Sequence, residues 1–206
     1  IRKIDKLLLD WKNYEDRKPL VVRGCRQCGK TSTVISFAKK HYKNVIYLDF
    51  HKEKELCTIF SGSLNVDYLV VLISAAIPSA RFEEGKTCLI FDEIQEFKEI
   101  TTKLKFWVDE GSFRYIFSGS LQGVELKNIK SAPVGYLKTL TMYPMDFEEF
   151  LQIYNFTAEL KESLYRSFIH RVPIDETIHN RMMQIFNMYL NVGGMPAAVS
   201  RFKETK

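Results

Sequence analysis

No stretch of this sequence is apolar enough to cross a membrane as a helix. The longest nearly uncharged apolar run, Leu69 to Ala80, falls short of the roughly 20 residues a span needs, and Pro78 sits inside it. Residues 1–15 are charged throughout, so they do not read as a secretory signal. Cysteine is scarce. Cys25, Cys28, Cys57 and Cys88 fall in no paired Cys/His frame, and Cys88 lies in an apolar run. That argues against a disulfide scaffold and for reduced thiols in a cytoplasmic protein. Cys25 and Cys28 do form a C-x-x-C, which alone suggests redox or zinc chemistry, but a stronger motif encloses it. The histidines His41, His51, His170 and His179 show no metal-binding spacing. No repeat or low-complexity tract is visible. The first residue is Ile, so the natural N-terminus is expected to lie upstream.

What is present is enough for a real core. Of 206 residues, 46% are hydrophobic, which excludes wholesale disorder and allows one domain, or one with a small appendage. The formal net charge is +5, unevenly spread. Residues 1–50 carry 12 Lys and Arg against 5 Asp and Glu, while the remainder carries 18 against 20. Such an excess serves phosphate ligands, nucleic acid or acidic protein, or is plain solvated surface.

Hydrophobic patterning alternates along the chain. Pro19 to Arg23 reads as a buried strand ending at Gly24, and a helix is predicted from about Lys30 to Tyr42. Val45 to Phe50 is a second strand, residues 51–66 read as loop-rich, and Asp67 to Ile77 as a buried helix. Thr87 to Phe91 is a third strand with Asp92 and Glu93 at its end. Ile100, Leu104, Trp107 and Val108 mark one helix face, with Lys98, Lys103 and Lys105 on its solvated side. Phe113 to Phe117 is a fourth strand, ending in Ser118-Gly119-Ser120, and Tyr136 to Met142 a fifth. Strands alternating with helices imply an α/β fold on a parallel sheet.

After Pro144 only helices are predicted. Asp146 with Glu149 is a capping-box pattern, and Met145 with Phe150 a hydrophobic staple. A second helix covers about Ala158 to Ile169. A third carries Ile178, Met182, Ile185, Phe186, Tyr189 and Leu190 on one face. Gly193 and Gly194 stop it, and Pro196 is expected to prevent an immediate restart. These aromatic and Met stripes read as core. The expected division is a core at 1–145 and a helical part at 146–206.

Three motifs carry chemistry. Gly24-Cys25-Arg26-Gln27-Cys28-Gly29-Lys30-Thr31 is a complete G-x-x-x-x-G-K-T phosphate-binding loop, placed between a strand and a helix as the motif requires and followed by Ser32. Its backbone N–H groups and the helix N-terminus suit phosphate oxygens. Lys30 is expected at the β- and γ-phosphates and Thr31 at Mg²⁺. Asp92 and Glu93 end a buried strand at the edge where such sheets bind ligands. Asp92 is placed to share the metal, and Glu93 to act as general base on water. Ser118 and Ser120, ending the next strand, are candidates for touching the γ-phosphate or orienting the water. Gln95 is a further polar candidate. No Asn-Lys-x-Asp guanine signature occurs, so adenine is favoured.

R-G-C-R-Q-C-G-K-T, then I-F-D-E-I-Q, F-S-G-S, M-Y-P-M-D-F-E-E-F-L and G-G-M-P resemble, in order and spacing, the AAA-type ATPases of bacteria and archaea related to STAND-like P-loop proteins. The resemblance spans about residues 3–199. It implies a P-loop NTPase fold: a five-stranded parallel sheet in the order 5-1-4-3-2 sandwiched by helices, then a small all-helical lid. It also implies a longer protein, truncated here before a C-terminal domain. Gly194-Met195-Pro196 is similar to a G-x-P motif whose proline packs near adenine, which makes Pro196 a candidate base contact or else a helix-stop turn. Relatives often carry Arg or Lys after the glycine matching Gly135, where this chain has Tyr136, leaving Arg114 and Arg26 as alternative cations.

The reading is an ATPase using Mg²⁺ and ATP, with Lys30, Glu93, Ser118 and Ser120 at the reacting end. The alternatives are a nucleotide-gated switch with little turnover, read by a partner or missing domain, and a nucleic-acid-associated ATPase resting on the basic N-terminal quarter. Nothing indicates an oligomeric state.

Overall fold

Five short strands, four of them built on aliphatic and aromatic residues, make one parallel sheet. They are β1 (Leu20–Gly24), β2 (Asn44–Asp49), β3 (Thr87–Asp92), β4 (Arg114–Ser120) and β5 (Lys138–Met142), in the spatial order β2-β3-β4-β1-β5. This is the order implied by the family resemblance. A computed structural model describes residues 2–14, 18–60, 65–96, 107, 109–120 and 137–205. The chain divides into two units, Lys3–Met142 and a second made of Tyr143–Lys206 with Ile1–Arg2.

The three inner strands are buried nearly throughout, because helices cover both faces. Alternation assigns their side chains. Val21, Leu89, Phe91, Tyr115 and Phe117 point to one face, and Leu20, Val22, Cys88, Ile90 and Ile116 to the other. On the first face an aromatic stack runs through Phe50, Phe91 and Phe117, closed by Trp107 and by Leu69 and Ile73 of a helix at Val66–Ala76. On the second lie a helix at Lys3–Asn13 (α1) and another at Lys30–His41 (α2), which bury Ile4, Leu8, Trp11, Val34 and Phe37.

Several expectations need correction. The spacing Ile4, Leu8, Trp11 is helical, yet no helix is expected there from the sequence reading; α1 fills that place. The segment read as loop-rich contains a short helix, α3 (Glu55–Ile59), ahead of the Val66–Ala76 helix, α4. The fourth strand does not stop at Phe117, and Ser118-Gly119-Ser120 belongs to it. These residues continue β4 and pair with Val22, Arg23 and Gly24 of β1. The Ile100 helix, apart from the buried Trp107, and Tyr136 lie outside the described residues.

The second unit is all helical: α5 (Phe147–Leu151), α6 (Ala158–His170), α7 (Glu176–Val192) and α8 (Pro196–Glu204). The capping box is present in full. Asp146 Oδ1 accepts from the Glu149 N–H at 2.9 Å, and Glu149 Oε2 accepts from the Asp146 N–H at 3.2 Å. Phe150, Leu151, Ile185 and Val199 form its core, with Met145 packed against them. Pro196 does the opposite of what was expected. It opens α8 at the first helical turn, where its missing N–H costs nothing and its φ is already helical. Gly194 has a separate constraint: a Cβ there would sit 2.1 Å from the Met145 carbonyl oxygen, and the two backbones meet through Met145 N–H donating to Gly194 O at 2.7 Å. Among the described residues no helix is long and apolar enough to cross a membrane.

Candidate functional site

The phosphate-binding loop leaves β1 at Gly24 and enters α2 at Lys30, so it lies at the C-terminal edge of the sheet. Gly24 stands against β5, where a Cβ would meet the Met142 carbonyl oxygen at 2.3 Å; only glycine fits there. Cys28, fully buried, turns its Sγ to the same carbonyl at 3.6 Å. Burial, only partly offset by Lys30, raises its thiol pKa. Gln27 (φ 61) and Gly29 (φ 92) both have left-handed backbone, curling the loop onto the helix N-terminus. Lys30 is buried, and its ammonium donates to the carbonyls of Gly24 at 3.0 Å and Cys25 at 2.7 Å. Ser32 Oγ donates to Gly29 O at 3.0 Å.

On the far side of β4, Asp92 ends β3 and is almost fully buried. Four donors hold its two oxygens. Thr31 Oγ1 donates to Oδ2 at 2.7 Å and Tyr47 Oη to the same oxygen at 2.8 Å. Oδ1 accepts from the Glu93 N–H at 3.0 Å and from Ser118 Oγ. Ser118 is buried and meets Asp92, not the cleft wall. Ser120 is buried at the end of β4.

Glu93 follows in left-handed backbone (φ 52), an uncommon conformation for a residue with a Cβ. Its carboxylate accepts from Gln95 Nε2. Gln95 Oε1 is buried and has no hydrogen-bond partner among the described residues. Glu93 and Gln95 face Lys30, Thr31, Arg26 and Gln27 across a cleft of about 710 Å³, which Ser32 and His51 also line. The structure therefore brings the loop, Asp92 and Glu93 to one place. It takes Arg114 elsewhere: Arg114 begins β4, and its guanidinium donates to the Trp11 and Lys12 carbonyls at the end of α1. Of the two alternative cations, Arg26 alone lines this cleft.

Two residues were missed. Tyr47 and Asp49 sit on β2, and Asp49 is in register with Asp92. Tyr47 Oη also lies 3.2 Å from Asp49 Oδ2, and since it has one proton, the shorter approach to Asp92 takes it. Burial and both carboxylates push the Tyr47 phenol well above its ordinary range, so it stays a donor. Burial works to raise the Asp49 pKa, but the backbone and side-chain hydrogen bonds from Lys52 outweigh it and hold the carboxylate below its ordinary value. Its Oδ1 accepts from the backbone of His51 and Lys52, both at 3.1 Å. Alternation in V-I-Y-L-D puts Tyr47 and Asp49 on one face at a strand end, but only the β2–β3 pairing shows which carboxylate they meet.

Known proteins agree with this architecture. The sequence profile of the AAA domain family matches residues 16–151. An uncharacterized protein of Methanocaldococcus jannaschii, MJ1544, is 25% identical over 177 residues, covering 85% of this chain. The match takes in 35% of that protein, so this chain spans about a third of its length. Among solved structures, Drosophila ORC bound to DNA superposes with a TM-score of 0.51 at 14% identity, over 97% of this chain and 58% of that one. C. elegans PCH-2 superposes at 0.50 with 15% identity, over 96% and 58%. These two likenesses are of fold. With the profile covering the loop, the acid pair and the whole sheet, the chain belongs to the AAA domain family.

Proposed function

We propose that this chain binds Mg²⁺·ATP at the Gly24–Thr31 loop and hydrolyses the terminal phosphate by in-line attack of water. The observation that carries the reading is the convergence of the loop, Asp92 and Glu93 on one sheet edge, with Thr31 Oγ1 2.7 Å from Asp92. Thr31 and Asp92 are the hard oxygen donors that suit Mg²⁺, which favours one or two protein oxygens with substrate phosphates completing its shell. When bound there, the ion would neutralise phosphate charge.

The chain's own residues divide the rest. The loop N–H groups bind phosphate oxygens, and the Lys30 ammonium exchanges its two loop carbonyls for β- and γ-phosphate oxygens. Glu93 accepts the proton of the attacking water on its carboxylate. Gln95 fixes that carboxylate through Nε2 and offers Oε1 to the same water. Ser118 and Tyr47 are positioning residues acting through Asp92. In this reading nucleotide state also alters the helical unit, Tyr143–Lys206.

Single-turnover phosphate release from Mg²⁺·ATP tests it, with ATP affinity measured alongside. Glu93→Gln should bind ATP like the natural chain and release phosphate about 10²–10⁴-fold more slowly, the usual worth of a general base. A natural chain that binds ATP and never releases phosphate would refute hydrolysis and leave a nucleotide-gated switch. Equal rates in both chains would remove Glu93 from the chemistry.

A further inference from the structure

The sheet has a second cleft, at its other edge. Four segments meet there as they enter their strands: the end of α1 (Lys12, Tyr14), Tyr42 before β2, Gly85 before β3, and Gly111 to Arg114 at the start of β4. The nucleotide loop lies at the opposite, C-terminal edge. The cleft has a volume of about 200 Å³.

Its chemistry is set by Arg114, which is only 8% exposed. The guanidinium lies over the Trp11 ring, 4.9 Å from its centroid. Nη2 is committed to the carbonyls of Trp11 at 3.2 Å and Lys12 at 2.8 Å. Nη1 and the Tyr42 hydroxyl are both buried, and neither makes a well-formed hydrogen bond among the described residues, although the phenol lies within reach of the guanidinium. Both residues line the cleft, and no carboxylate is among the described residues that do. Two acidic groups lie near the guanidinium, and both stay protonated at neutral pH. Burial holds the Tyr42 phenol up at about 12 against the pull of Arg114, and burial pushes the Cys88 thiol up as well. Buried charges are normally paired, and buried donors normally satisfied. Here a buried cation faces a cleft with a donor to spare, a phenol beside it and the Lys12 charge in the wall.

We propose that this cleft binds a small oxyanion, a carboxylate or a phosphate group, with Arg114 Nη1 and Tyr42 Oη as its hydrogen-bond donors and Lys12 as an outer charge. The size fits. A liquid water occupies about 30 Å³, so the space takes an oxyanion with a few further atoms and excludes a whole nucleotide. The inference does not depend on the nucleotide site.

The chain holds two tryptophans, Trp11 under Arg114 and Trp107 on the other face of the sheet. Their indole N–H signals in a ¹H–¹⁵N spectrum are a probe and an internal control. The titration uses inorganic phosphate, acetate and succinate on the full chain carrying Lys30→Ala, which weakens anion binding at the loop. The Trp11 signal should move saturably with phosphate or with the carboxylates while Trp107 stays still, and which of them acts identifies the ligand group. Tyr42→Phe and Lys12→Ala should each weaken that binding several-fold. Tyr42→Phe removes a hydroxyl that makes no well-formed hydrogen bond and leaves the ring in place, so the variant keeps its fold, checked by its thermal midpoint. No saturable Trp11 shift up to about 50 mM of any of the three anions, far weaker than a millimolar site, overturns the proposal. So does binding that survives undiminished in both Tyr42→Phe and Lys12→Ala.

Discussion

Asp92 shows how a buried carboxylate is made useful. A charged oxygen taken out of water is costly unless donors replace the water, and here Thr31, Tyr47, Ser118 and the Glu93 N–H do so. These donors also fix its direction, leaving Oδ2 at the Thr31 hydroxyl beside the loop. Tyr47 contributes its only proton to this arrangement, and a hydrogen bond to a charged group is worth about 1.5–3 kcal/mol. Tyr47→Phe should therefore lower kcat by roughly tenfold or more, with the ring still packed and the fold kept. Steady-state phosphate release and a melting curve on the same sample check it. An unchanged kcat would make Tyr47 a purely structural residue. Glu93 adds a feature of a different kind. Its left-handed backbone opens the turn after β3, where Glu96 N–H donates to Glu93 O at 3.0 Å, and the residue lines the cleft.

At the scale of elements, what was legible in the sequence follows from how each element is stabilised. Strands β1 to β4 were legible because each contains a short apolar run closed by polar or glycine residues, and the loop because its glycines and Lys-Thr are spaced by phosphate geometry. The capping box at Asp146 was legible because both partners lie within one turn. The helix α1 was not. Its buried stripe of Ile4, Leu8 and Trp11 is blurred by Leu7 and Leu9, which are 46% and 39% exposed. The helix α3 is five residues long, too short for a period to show. Ser118 to Ser120 look like the close of the strand because they are polar and small. They stay in a strand because β3 and β1 flank β4, and Ser118 is polar because Asp92 needs a donor. Nothing local announces Tyr47 either, since its partner lies 45 positions away on another strand. The second-face core rests heavily on α1. Leu8 is fully buried, so Leu8→Ala should cost about 2–5 kcal/mol, read as a lower denaturant midpoint at an unchanged slope. A loss under about 0.5 kcal/mol would mean α1 is not part of the cooperative core.

At the scale of the molecule, one unit carries the loop and the acids, and the other is a separate helical body with its own core at Phe150, Leu151, Ile185 and Val199. The helical unit is thinly packed. Along α6 no residue is buried, and Tyr165, Phe168 and Ile169 are largely exposed. A body with so few buried contacts opens at low cost, so its amide protection is the sensitive readout of nucleotide state. Hydrogen exchange across residues 143–205 should differ between ATP and ADP in the Glu93→Gln chain, which is expected to bind ATP and consume it only slowly. Identical protection would separate the site from any conformational output.

The proposed activity requires Mg²⁺·ATP binding through Lys30, Thr31 and Asp92, and calorimetric titration with ATP, with and without Mg²⁺, measures that directly. ATP should bind the natural chain with Mg²⁺ present and clearly more weakly once the metal is chelated. Thr31→Ala should lose most of the metal's contribution, and Lys30→Ala should lose measurable binding. Absence of ATP binding in the natural chain, or affinity that is the same in Lys30→Ala, would contradict the account.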